Sequence, residues 1–241
     1  YSYHTSEEEL VERLRKSCIS VFNYHIPLDR VSPWSPGTNL AKAMGLTPYE
    51  AFYEQNLVKM GLPVMMVKNC LQTQFAQAPE QTLGHPVKLY RYGDEQLPGG
   101  KIALMGGGAS NPNIYAWLKE KGINLFFTGM SSPNIPWCAR NHVNAKAAGV
   151  SIVGGTHYST EKYAVMEMVK FFEGLGLESE FLPETDKLDR HAGRFSDGKC
   201  GTATGIAVQL GQDETGQFKS IIEVFAYGNS FLSQCGVSNE Q

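Results

Sequence analysis

Apolar positions recur along the chain with two periods, and the places where the period changes divide it into elements. Leu10, Val11 and Leu14 share one helical face over residues 6–16, with Ser6 at the cap and Glu9 three residues on. Residues 18–24 form a β-rich apolar run, a buried strand that ends in the turn-like His25-Ile26-Pro27-Leu28-Asp29. A short helix follows over 38–44, stopped by Gly45. Thr47-Pro48-Tyr49-Glu50 carries a cap, an early proline and an acid, so a second helix is expected from there to Gly61. Residues 64–67 and 87–92 read as strands, separated by a polar, Gln-rich stretch.

From Lys101 the alternation is regular. Strands are expected at 102–105, 123–128, 151–153 and 178–182. Helices are expected from Asn111-Pro112, over 139–148 and over 156–175. This order predicts an α/β fold, a mostly parallel sheet with helices on both faces. Ligands of such sheets sit beyond the carboxyl ends of the strands, where Gly106, Thr128 and His157 fall. Residues 1–188 make the α/β domain. Residues 189–241 make an extension, a polar loop followed by a possible hairpin of 202–210 with 219–227.

Composition narrows the function classes. The 241 residues have a net charge of −3 and no basic block, so no nucleic-acid partner is indicated. No apolar run approaches the roughly 20 residues that span a bilayer. The five cysteines are dispersed without a C-x-x-C pair, which argues against a disulfide framework or a thiolate zinc site and suits the cytoplasm.

The sharpest chemistry lies in Gly154-Gly155-Thr156-His157-Tyr158-Ser159-Thr160-Glu161. A strand ends in two glycines, a helix begins, and His157 and Glu161 share a helical face. An imidazole and a carboxylate at that spacing can hold a divalent cation; equally, they are the histidine and solvated acid of an ordinary helix N-terminus. Asp29 follows another strand, so it falls at the same edge if both strands join one sheet. It offers a hard oxygen ligand or merely caps the next loop. His4 precedes the first helix. Gly106-Gly107-Gly108 before a proline-started helix offers at most a phosphate contact. With Asn111 where a third glycine is needed and no acid in residues 123–128, it is not a dinucleotide fingerprint.

Together these pieces resemble the Nif-three-like family, also described as GTP cyclohydrolase I type 2 or dinuclear metal centre hexameric proteins. The resemblance runs through His25 to Asp29, Asn39-Leu40-Ala41-Lys42-Ala43-Met44-Gly45-Leu46, the triple glycine, Thr128-Gly129-Met130 and Gly155 to Glu161. It covers most of residues 1–183. It implies metal ligands His4, Asp29, His157 and Glu161, holding one or two ions of zinc, manganese, iron or magnesium. It also implies a homohexamer, and the strand and helix that precede the histidine pair in that family are missing from this sequence. Tyr3 stands in place of a first histidine, one extra residue precedes His157, and Met130 replaces an acid. Two functions follow as expectations. One is a metal-dependent hydrolase of a nucleotide-like or small phosphorylated substrate, of the GTP cyclohydrolase type, with His25 or His142 as proton-transfer partner. The other is a non-catalytic metal-binding assembly or regulatory protein.

Overall fold

A computed structural model describes residues 7–23, 26–46, 48–50, 53–55, 58–60, 62–66, 70–183, 206–210 and 219–224. Its centre is a six-stranded sheet. In chain order the strands are β2 (Pro48–Glu50), β5 (Leu62–Met66), β6 (Lys88–Tyr90), β7 (Lys101–Met105), β8 (Leu125–Thr128) and β9 (Ser151–Gly154). They lie in the spatial order β2-β5-β7-β8-β9-β6. The middle of the sheet is parallel, β7 with β8 and β8 with β9; β5 and β6 flank it antiparallel, and β2 pairs antiparallel with β5.

The strand alternation sorts side chains to two faces. Ile102, Leu104, Leu125, Phe127 and Val153 point one way, against Leu40 and Ala41 of α3 (Pro36–Ala43) and Phe75 and Leu83 of α4 (Gln72–Leu83). Ala103, Phe126 and Ile152 point the other way. They meet Ile114, Tyr115 and Leu118 of α5 (Ile114–Glu120) and Ala145 of α6 (Pro136–Ala148). β8 and β9 are buried along their whole length, as strands covered on both faces must be.

A second sheet is built from β1 (Ile19–Asn23), which follows α1 (Glu7–Lys16), and from β10 (Ser179–Leu182), β11 (Ile206–Leu210) and β12 (Lys219–Val224). Its order is β1-β12-β11-β10. β11 and β12 pair antiparallel, as the hairpin pattern suggests. The pair does not stand apart: β12 joins β1 in parallel and β11 joins β10.

Three elements differ from the sequence pattern. The helix expected from Thr47 to Gly61 is replaced by β2 and the short pair β3 (Tyr53–Gln55) and β4 (Val58–Met60). Cap chemistry there is outweighed by pairing of β2 to β5 and of β3 to β4, in a segment that also holds the β-formers Tyr53 and Val58. The Gln-rich stretch is the helix α4. Phe75, Pro79 and Leu83 are among its buried positions, and Gly84 closes it at φ 78°. Its signal is masked by the internal proline and by Leu71 at the cap, where the Gln74 side chain accepts from the Leu71 N–H at 2.8 Å. Finally, β1 belongs to the second sheet and leads into α2 (Ile26–Asp29), so Asp29 does not reach the β9 edge through a shared sheet. Instead Leu28 packs with Ala164 and Val165 of α7 (His157–Gly174).

Candidate metal centre

Three chain segments converge where β7, β8 and β9 end. Backbone bonds sew them together: Gly155 N donates to Thr128 O and Met130 N to Gly107 O, each at 2.9 Å. Helix α7 starts there with a reciprocal cap. Thr156 Oγ1 accepts from Ser159 N, and Ser159 Oγ accepts from Thr156 N, both at 3.0 Å. This places His157 at the first helical position and Glu161 one turn on, facing the glycine turn.

The two side chains are buried, His157 7% and Glu161 4% exposed. His157 Nε2 lies 3.3 Å from Glu161 Oε1. Glu161 Oε2 is buried with no hydrogen-bond partner among the described residues. An unsatisfied buried carboxylate oxygen costs about 1–3 kcal/mol or more, a cost that a cation offsets. Gly107 roofs the pair at φ 69°. A Cβ there would stand 2.1 Å from Glu161 Oε1 and 2.9 Å from His157 Nε2. Only glycine meets both the backbone conformation and the close approach.

Thr160 locks this arrangement. Its hydroxyl accepts from Gly107 N at 3.0 Å and also faces the carbonyls of Thr156 and His157 at 2.9 and 3.0 Å. Sequence reasoning assigns it no role, although it stands beside Glu161 in the same motif. The turn is held from α6 as well. Asn141 donates to the carbonyl of Ala109, a non-glycine residue at φ 44°, and Asn144 donates to Pro112 O.

The other candidates fall as follows. His4 and His25 lie outside the described residues. Asp29 is half-buried on α2, close to α7 through Leu28, and the described residues contain no group of three His, Cys, Asp or Glu disposed to hold an ion. His142 is buried with both ring nitrogens engaged: Nδ1 with Tyr92 OH at 2.8 Å and Nε2 with Ser131 O at 2.7 Å. It ties the segment after β6 to the 129–131 turn. His157 and Glu161 thus fit a cation by burial, by the unsatisfied carboxylate oxygen and by the glycine cradle, and would supply two of the ligands a site needs.

Fold and site together define an α/β protein with a histidine–carboxylate pair at the carboxyl edge of a parallel strand triplet. A profile of the Duf34/NIF3 (NGG1p interacting factor 3) family matches residues 2–187, and the chain belongs to that family. A relative from Archaeoglobus fulgidus, called GTP cyclohydrolase 1 type 2 homolog, is 30% identical over 178 residues, covering 71% of this chain and 64% of the relative. One of the same description from Neisseria meningitidis is 25% identical over 179 residues, with the same coverage. The chain therefore spans less than two thirds of the length of these relatives. Among solved structures, reduced HcgD from Methanocaldococcus jannaschii superposes with a TM-score of 0.56 at 16% identity, covering 72% of this chain and 64% of its own. TTHA1606 from Thermus thermophilus gives 0.54 at 20%, covering 73% and 64%. These likenesses show the fold. No helix among the described residues is long and apolar enough to cross a membrane.

Proposed function

We propose that this chain binds a divalent metal ion through His157 and Glu161, completed by Asp29 and His4, and uses it as a hydrolase of a nucleotide-like or small phosphorylated substrate. The observation that carries the reading is the buried pair beneath Gly107, with one carboxylate oxygen unsatisfied. Zinc, manganese, iron and magnesium all suit an imidazole with carboxylates. Such an ion lowers the pKa of a bound water and polarises the substrate. The chain's own part is to hold the ligands: the Thr156 cap aims His157, Thr160 seats the glycine turn, and burial keeps bulk water from competing. The name of the relatives suggests GTP ring opening as the first reaction to try, and the family resemblance suggests a homohexamer.

A second reading, a metal-binding assembly protein without turnover, is favoured by one observation. Both nitrogens of His142 are already committed, to Tyr92 and to the Ser131 carbonyl, which weighs against a proton-transfer role. The test is metal content of the purified chain by elemental analysis for wild type, His157→Ala and Glu161→Gln, with melting temperatures alongside. Metal in wild type and its loss from both variants, with folding retained, supports the site. Full metal content in both variants refutes it. A nucleotide panel including GTP, run with chelator and with added metal, then separates hydrolase from binding protein.

A further inference from the structure

The face of His157 turned away from Glu161 meets a thioether. Nδ1 lies 3.1 Å from Met130 Sδ, while Nε2 faces Glu161. The two ring nitrogens therefore have partners of opposite character. Methionine usually fills gaps and adapts, but Met130 is held in one place. Its N–H donates to Gly107 O at 2.9 Å and its carbonyl accepts from the Cys138 thiol at 3.7 Å. The next carbonyl, Ser131 O, is bound by His142 Nε2, itself fastened to Tyr92. The side chain is 5% exposed and packs with Ile135, Cys138 and Trp137.

A thioether accepts a hydrogen bond weakly and carries no charge. Set against Nδ1, it orients the ring and leaves Nε2 for the ion beside Glu161. It does not raise the basicity of the imidazole as a carboxylate in that position does. We propose that Met130 is a positioning residue for His157 that keeps the bound ion weakly held and exchangeable; this rests on the metal reading above.

The test is zinc affinity of the full chain by chelator competition for wild type, Met130→Leu, Met130→Gln and Met130→Glu. Leucine keeps the packing but removes the acceptor, and zinc binding is expected to weaken about tenfold. Glutamine restores a neutral acceptor and should bind at least as tightly as wild type. Glutamate should tighten binding about ten- to a hundredfold. Nitrogen-15 shifts of His157 in the zinc-loaded protein should report a protonated Nδ1 in wild type and in the glutamine variant. Equal affinities for wild type, leucine and glutamine reduce Met130 to packing and overturn the proposal. If the glutamate variant fails to fold, the leucine–glutamine comparison decides alone. Wild type that binds zinc no better than His157→Ala overturns the metal reading itself, a different result from equal affinities among proteins that all bind.

Discussion

Replacing Gly107 by alanine separates the role of the glycine turn from ordinary strain. Two costs add. At φ 69° an L-residue pays about 1–2 kcal/mol for the left-handed conformation. The new methyl would then lie 2.1 Å from Glu161 Oε1, 2.9 Å from His157 Nε2 and 3.1 Å from Glu161 Cδ, far inside contact distance. Glu161 must move, and in a buried, packed site such displacement costs about 1–3 kcal/mol. The sum is about 2–5 kcal/mol; at about 2–4 °C per kcal/mol for a chain of this size, melting falls by roughly 4–20 °C. Gly176→Ala is the control, because φ is 78° there and nothing lies within 4 Å of the added methyl. It should cost only the backbone term, about 1–2 kcal/mol. Thermal melting and urea unfolding of both variants measure the difference, and zinc binding should be lost in Gly107→Ala but kept in Gly176→Ala. If the two variants agree within about 0.5 kcal/mol and both bind zinc as wild type does, the packing of Gly107 on the histidine–carboxylate pair is refuted.

Two further outcomes follow from the geometry. His142→Leu leaves the buried Ser131 carbonyl, and the half-buried Tyr92 hydroxyl, without their imidazole partner and should cost about 1–3 kcal/mol in urea unfolding, whereas Val143→Ser, at a residue 68% exposed, should be near neutral. The Thr73 hydroxyl and N–H both donate to the Glu95 carboxylate and, with Arg91 adding a little, hold its pKa below the usual value. A carboxylate with a depressed folded pKa contributes stability above its unfolded pKa and loses it as pH falls through the folded one. Thr73→Val should raise the Glu95 pKa in an NMR titration and shrink that acid-side loss; an unmoved titration would show that the bonds do not form in solution.

Much of the fold is legible in the sequence because local and tertiary preferences agree in residues 101–182. There β7, β8 and β9 are buried on both faces and read as largely apolar runs, and helices carry their own punctuation, such as Thr156 and Gly149. The pairing of His157 with Glu161 is legible for the same reason, since helical spacing alone sets it. Residues 47–61 mislead because cap residues describe only local preference, while β2 and β4 owe their state to strand partners. Helix α4 is hidden because a proline interrupts its pattern while long-range burial of Phe75 and Leu83 sustains it. What tertiary structure alone decides is the company the pair keeps. Gly107 above it, Met130 behind His157 and Thr160 on the turn are relations between segments far apart in the chain. No periodicity encodes them, because they arise only when the sheet brings the ends of β7, β8 and β9 together.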